Sequence, residues 1–385
     1  MKNDICRKIK VLQLTDWSFE PMDEYIQKGG EAFSVSRFGY EYLRQWCDLE
    51  WITPSHKGVM QKILERLLGL EGSNLVLQIQ AIKRSKQYDV IYYSADRHPY
   101  LLALARKLRI VKTPILMLCH FSYDDKCVDG KLKKLLLKKE RKLVFRNMDQ
   151  ILFNCETLMR KAISTGDLPE QRRKVSGWGA DLEYFARGER HKFDELKPFY
   201  FSAGGANRDY HVLIEAFRRM EDVKLVLSCP KSVLEAEGTL PANIIYFDYQ
   251  SKGLDAYALL RSYYQDCSAV LIPVLRRNHV ANGASVMAEA MACGKPIIAT
   301  NLETNFIDIE KEGIGYTAQL GDVNSWVMAI SRANNDIAKL EAMGKRSLEL
   351  AKKEYNYFYM AENVYQEIVK LYGRDRAKKL SNLDK

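Results

Sequence analysis

The chain has 385 residues, of which 47 % are hydrophobic and 28 % charged, so it is too long for one ordinary core and suits two domains. No apolar run approaches the roughly 20 residues that span a bilayer, which excludes a transmembrane chain. The formal charge of +10 favours acidic partners such as nucleotide phosphates, lipid phosphates or nucleic acid. The start, MKNDICRKIKVLQL, is basic and then apolar but lacks a small-residue cleavage site, so it reads as a first strand rather than a signal peptide. The eight cysteines are scattered without a Cys-x-x-Cys pair. That pattern predicts reduced, buried thiols and a cytoplasmic setting, not a disulfide framework or a zinc site.

In chain order, KIKVLQL reads as a strand and EAFSVSRFGYEYLRQW as a helix. DVIYYSA leads into the helix HPYLLALARKL, and TPILMLCHF leads into a basic helix. QILFN precedes the helix ETLMRKAI, followed by KVSGWG. The pattern then restarts with the strand PFYFSAGG and the helix RDYHVLIEAFRRM. The strands VKLVLSC and IIYFDY, the helix DAYALLRSYYQDC and the strand AVLIPV follow. ANGASVMAEAMACGKPIIAT supplies helix, turn and strand, and GIGYTA with further helices closes the chain. This βα alternation predicts an α/β protein of two facing, doubly wound, Rossmann-like domains. Their boundary is expected in the charged stretch Arg187–Lys197. Ligands in such sheets bind beyond the carboxyl ends of the strands, so a cleft between the domains is the expected site.

Four constellations fall at those strand ends. Gly29, Gly30 and Glu31 after the first strand suit a close backbone approach to a ligand at a helix start, or simply a tight strand-to-helix connection. His120 follows a buried-type strand, where a neutral imidazole donates to one hydroxyl and accepts from another. Gly204, Gly205 and Arg208 combine flexible backbone, a cation and a helix start, which suits a diphosphate. The stretch matches neither a P-loop nor the dinucleotide fingerprint. Asn282, Gly283, Ala284 and Ser285 open a helix of small residues, against which a phosphate can lie. Glu289 sits one turn beyond Ser285 on the same face. A carboxylate there cannot hold phosphate, but it accepts bidentate hydrogen bonds from vicinal hydroxyls, as in a ribose. Asp308 and Glu310 superficially resemble a metal-binding Asp-x-Asp but read as a solvated surface, and no metal or other cofactor is expected.

The segment from Lys131 to Arg146 carries eight Lys or Arg and one acid. With its leucine stripe it reads as an interfacial helix that lies on an anionic membrane through Lys131, Lys133, Lys134, Lys138, Lys139, Arg141 and Lys142. An ordinary solvated helix packing its leucines on the sheet is the competing reading. No aromatic-interleaved basic motif points to nucleic acid.

The segment Ser202–Phe217, the run from DAYALLRSYYQDC to GKPIIAT, and EGIGYTAQLGD resemble the donor domain of glycosyltransferase family 4, of GT-B fold. KVSGWGADLEYF resembles that family's motif at the end of the first domain, and Gly29, Gly30 and His120 match its acceptor-side loop and histidine. The resemblance implies an N-terminal acceptor-binding domain over residues 1–190, with a C-terminal helix of about 362–385 packing back on it. A nucleotide-sugar donor domain would cover 196–361. It further implies a hexosyltransferase that moves a sugar from a nucleotide diphosphate sugar with retention of configuration and without metal. The charge pattern adds a lipid-linked or membrane-associated acceptor, in surface polysaccharide or glycolipid synthesis, and a peripheral position on the inner face of the membrane. Arg208 would hold the diphosphate and Glu289 the nucleotide ribose, with Asn282–Ser285 along the diphosphate and sugar. Two departures stand out. The family has a second glutamate eight positions before the one matched by Glu289, and Ala281 stands there instead. The family's diphosphate pair is an Arg and a Lys, of which only Arg208 is evident. A catalytically silent GT-B binding subunit and a nucleotide-sugar epimerase of the same shape are therefore the alternatives.

Overall fold

The computed structural model describes residues 7–381 except 17, 32–36, 54–73, 95–97, 125–128, 188–190, 206, 249, 276–279 and 282. The chain divides into two compact units: Met1–Pro21, Ser36–Gly177 and Phe358–Lys385 form unit 1, and Met22–Val35 with Trp178–Tyr357 form unit 2.

Unit 1 is built on six parallel strands, β1 (Lys10–Leu14), β2 (Asp48–Ile52), β3 (Val90–Tyr93), β4 (Ile115–Cys119), β5 (Gln150–Phe153) and β6 (Lys174–Val175), in the order β2-β1-β3-β4-β5-β6. Every residue of β3, β4 and β5 is buried, as parallel strands covered on both faces require. That is why VIYY, ILMLC and QILF are continuous runs. Strand β2 is an edge strand with no buried residue. Its sequence DLEWI mixes charged and apolar residues, so a search for apolar runs passes over it. The helices Glu20–Gln27 and Leu75–Arg84 also go beyond the sequence reading.

Unit 2 contains β7 (Phe199–Ala203), β8 (Lys224–Ser228), β9 (Ile244–Tyr246), β10 (Ala269–Ile272), β11 (Ile297–Thr300) and β12 (Gly315–Ala318), all parallel, in the order β12-β11-β10-β7-β8-β9. Numbered within the unit this is the Rossmann order, and the chain reverses direction across the sheet between β7 and β10. Such a switch point leaves a crevice beyond the carboxyl ends of the two strands. The core beneath it is formed by Tyr200, Leu213, Phe217, Leu225, Leu271 and Trp326 among others.

The division at Gly177/Trp178 lies upstream of the Arg187–Lys197 boundary expected from charge. The reason is a set of polar ties to helix Ala256–Asp266. The Asp266 carboxylate accepts from the backbone N–H of His191 at 2.9 Å and of Phe193 at 3.0 Å, and from Lys197 at 3.0 Å. Gln265 donates to the carbonyls of Phe185 at 2.9 Å and Arg187 at 2.6 Å. The charged stretch is thus fastened to unit 2. Residues Trp178–Asp181 are fixed in the same unit by a short bridge: Ala180 N–H donates to Tyr355 O at 3.3 Å, and Tyr357 N–H donates to Ala180 O at 3.2 Å. The approach is so close that a Cβ on Gly179 would stand 2.1 Å from the backbone nitrogen of Asn356.

Two outcomes follow for stability. Gly179→Ala forces backbone against backbone and should lower unfolding free energy by about 3 kcal/mol, the upper end for overpacking, as read by urea denaturation. Burial alone would raise the Asp266 pKa, but the N–H groups of Phe193 and His191 and the Lys197 ammonium leave it below the usual carboxylate value. Its contribution is therefore present above the unfolded pKa of about 4 and is lost as pH falls through the lower folded value. Asp266→Ala should destabilise the protein at pH 7 by about 3 kcal/mol, and by progressively less in acid. A constant loss down to pH 3 would contradict this.

Candidate functional site

The switch point of unit 2 is shaped by two loops that hold each other. After β7 the chain turns at Gly204, with φ 130°, and its carbonyl accepts from the buried Tyr210 hydroxyl. Asp209 N–H donates to Pro273 O at 3.2 Å, and Leu275 N–H donates to Asn207 O at 3.1 Å, so the loop after β7 is joined to the chain leaving β10. Asp209 also caps helix Tyr210–Arg218 by accepting from Val212 N–H at 3.2 Å. Between these ties Arg208 lies over Gly204: a Cβ there would stand 3.2 Å from its Nε and 3.3 Å from its Nη2. Burial pulls the Arg208 pKa down, opposed by Tyr210, Tyr264 and Glu289. A guanidinium stays protonated even so, which leaves a partly desolvated cation at the switch point. Gly205 is exposed on the same loop.

The second element is helix Ala284–Ala292. It starts from Gly283, with φ 69°; any Cβ there would also sit 2.9 Å from the Ile272 side chain at the end of β10. The small residues have two uses. Ala288, Ala290 and Ala292 are buried in packing, whereas Ala284 and Ser285 at the helix start remain open. Ser285 and Glu289, one turn apart, border a recess with Gly179, Asp181 and Phe185. Its cavity volume is about 10 Å³, room for about one water, so the recess marks where Ser285 and Glu289 face and does not itself enclose a ligand. Asn282 lies outside the described residues.

Glu289 is the electrostatic centre of this arrangement. Burial raises its carboxyl pKa to about 7, against the stabilising hydrogen bond from Tyr264 and the charge of Arg208. Part of the side chain still reaches the recess, so dense surroundings rather than complete sealing cause the shift. Tyr264 is 2 % exposed and packs edge-on against Phe201 at 5.0 Å and Phe185 at 6.1 Å between ring centroids. Burial and the neighbouring Glu289 push its phenol pKa well up, so it stays a hydrogen-bond donor. Tyr264 and Tyr210 escaped the sequence reading. Their only signal was a polar-tipped aromatic at a buried helical position, which core packing alone would also give.

Gly29 and Gly30 follow a helix among the described residues. They end it: Gly30 N–H donates to Tyr25 O at 2.9 Å and Gly29 N–H to Ile26 O at 3.0 Å, with Gly29 at φ 88°. This is a left-handed cap on helix Glu20–Gln27, and the pair groups with unit 2 rather than with the N-terminal unit. Tyr25 reaches Asp255 at 2.9 Å. Glu31 reaches Arg261 at 2.6 Å, whose guanidinium lies 4.4 Å from the centre of the Tyr184 ring. The expected backbone approach at a helix start is therefore corrected to a helix end bound by side chains.

In unit 1, His120 follows β4 and is 9 % exposed, against Phe38 at 5.3 Å between ring centroids. The switch point of this sheet is one strand away, between β1 and β3, where Gln13 donates to Ser94 Oγ at 3.1 Å and Ser94 Oγ donates to Leu14 O at 2.8 Å. Helix Lys131–Asn147 exposes Lys131, Lys133, Lys134, Lys138, Lys139 and Lys142. Arg141 is a correction: it is 3 % exposed, pairs with Asp167 at 2.7 Å and donates to Tyr123 O at 3.0 Å. It faces inward because it lies with Val144 and Phe145 on the buried face. Among the described residues no group of three or more His, Cys, Asp or Glu is arranged to hold a metal, and no helix is long and apolar enough to cross a membrane. Glu310 accepts from Thr317 N–H at 3.1 Å and Thr317 Oγ1 at 3.0 Å. The six described cysteines are free thiols.

Residues 199–336, most of unit 2, match the family model of glycosyl transferases group 1. No curated protein sequence matches the chain. Among solved structures, sucrose-phosphate synthase from Thermosynechococcus elongatus is similar over 95 % of this chain and 100 % of that one, at 15 % identity and a TM-score of 0.69. HepE of Anabaena in complex with UDP is similar over 94 % and 100 %, at 14 % identity and 0.64. The lipopolysaccharide outer core galactosyltransferase WaaB is similar over 94 % and 99 %, at 13 % identity and 0.56. The two six-stranded parallel sheets and these likenesses give the chain the GT-B fold, and its unit 2 carries the glycosyl transferases group 1 match.

Proposed function

We propose that the protein is a retaining, metal-independent glycosyltransferase that binds a nucleotide diphosphate sugar on unit 2. It passes the sugar, a hexose, to a hydroxyl of a lipid-linked or membrane-associated acceptor in surface polysaccharide or glycolipid synthesis. The observation that carries the reading is the pairing, at one switch point, of a desolvated Arg208 with a recess bordered by Glu289. The complexes of HepE with UDP and with UDP-glucose support a uridine nucleotide as the first donor to test.

In this reading Glu289 accepts hydrogen bonds from the two ribose hydroxyls, and Tyr264 holds the carboxylate in place. The diphosphate lies between Arg208 and the start of helix Ala284–Ala292, where Gly283–Ser285 leave room and free N–H groups favour an anion. As the sugar–phosphate bond breaks, negative charge grows on the leaving diphosphate. Arg208 and those N–H groups stabilise it more in the transition state than in the ground state, which is what accelerates the reaction. His120 on unit 1 offers a hydrogen-bonding imidazole to the acceptor. Retention of configuration would appear as the anomeric proton coupling of the first product by NMR. An inverted product would sink that part of the reading.

Ala281 motivates a second reading, a subunit that binds the nucleotide but does not turn it over. Release of UDP in step with sugar transfer rejects it, whereas binding without turnover in the presence of cell membranes favours it.

Three variants test the roles by calorimetry and kinetics. Glu289→Gln should weaken UDP binding by about 1–3 kcal/mol at pH 8, the cost of losing a charged hydrogen-bond acceptor. The carboxyl titrates near 7, and the ribose needs the carboxylate. Wild-type affinity should therefore rise relative to Glu289→Gln between pH 6 and pH 8; the nucleotide's own ionisation cancels in that difference. Tyr264→Phe removes a donor to the carboxylate, raises its pKa further and should move this rise to higher pH. Arg208→Ala should lower kcat about 100-fold or more. A pH-independent difference between wild type and Glu289→Gln would remove Glu289 from the ribose.

A further inference from the structure

Unit 1 carries a surface that donor binding does not use. Helix Tyr100–Lys107 packs beside helix Lys131–Asn147 and leaves a groove between them. Tyr100, Leu104 and Leu143 give it an apolar floor, and Lys107, Lys139, Lys142 and Arg146 stand around it. Residues 139, 142, 143 and 146 recur at helical spacing, so they share one face. All four cations are exposed. Among the described residues none has an acid within ion-pair distance, because the helix's only glutamate, Glu140, is buried against His98 at 2.7 Å. Arg141, which does have an acid, faces inward to Asp167. In the first two turns of the same helix Leu132, Leu135 and Leu136 are 68 %, 49 % and 39 % exposed, interleaved with exposed Lys131, Lys133, Lys134 and Lys138.

We propose that this groove and the exposed leucines form one docking surface for an anionic phospholipid bilayer. Like charges grouped around an apolar floor repel one another, and an anionic surface relieves that repulsion. The leucines complete the pattern. Lysine stems extend toward headgroups while leucine side chains enter the acyl boundary, which is how an interfacial helix gains affinity from both terms. A polyanion such as a nucleic acid would engage the cations but would leave the three leucines in water. The basic residues assigned to the surface thereby change from the sequence expectation: Arg141 leaves it, and Lys107 and Arg146 join it. The inference is independent of the donor chemistry of unit 2.

Co-sedimentation of the intact protein with vesicles tests it. The protein should pellet with phosphatidylcholine vesicles containing phosphatidylglycerol, not with phosphatidylcholine alone, and raised salt should weaken binding. A variant with Lys107→Gln, Lys139→Gln, Lys142→Gln and Arg146→Gln should lose more than about tenfold in partitioning. A second variant with Leu132→Ser, Leu135→Ser and Leu136→Ser should lose several-fold, by about the transfer free energy of partly buried leucines. Both should unfold at the wild-type temperature, since every substituted side chain is solvent-exposed. Absence of wild-type binding, equal binding to both vesicle types, or an undiminished four-fold variant would overturn the proposal. Retention on random-sequence duplex DNA without vesicle binding would overturn it too, in favour of nucleic acid.

Discussion

A carboxylate set among apolar side chains needs compensation, and in unit 2 Tyr264 and Arg208 beside Glu289 offset its burial only in part, so that its carboxyl stays raised to about 7. Without a donor, a buried carboxyl takes up a proton and ceases to be an acceptor. Tyr264 belongs to helix Ala256–Asp266, and the same helix ends in Asp266, which gathers the 191–197 stretch into unit 2. One helix thus organises both the proposed ribose carboxylate and the segment that closes the unit. Phe185, which borders the recess and packs edge-on against Tyr264, is tied to the same helix by Gln265, which donates to its carbonyl.

The sheet supplies the other constraint. The reversal between β7 and β10 leaves their carboxyl ends free of crossing chain. The backbone around Arg208 is bonded to the chain leaving β10, which fixes its place at the switch point. A desolvated cation held by backbone is preorganised for an anion. The proposed chemistry asks for little else from side chains.

Much of this was legible in the sequence, for a physical reason. Strands covered on both faces must be continuously apolar, so β3, β4, β5, β7, β10 and β11 announce themselves. That Gly204 and Arg208 follow β7 and that Glu289 lies on the helix after β10 was legible because those strands are continuously apolar. What stayed hidden is what depends on side-chain direction. Arg141 and Lys142 are adjacent in the sequence, yet one is buried against Asp167 and the other faces water. Gly29 and Gly30 looked like the approach to a helix, but only the preceding helix, Glu20–Gln27, gives them their carbonyl partners. The role of Tyr264 could not be separated from that of any other core aromatic until its hydroxyl had a partner. The expected boundary followed charge, whereas the chain divides where backbone bridges fall.

The central claim is that unit 2 holds the nucleotide of a sugar donor through Glu289 and Arg208. A crystal structure of the protein with UDP tests it most directly. Both ribose hydroxyls should lie within hydrogen-bond distance of the Glu289 carboxylate, with the diphosphate against Arg208 and the start of helix Ala284–Ala292. UDP bound elsewhere, or bound there with its ribose away from Glu289, would contradict it.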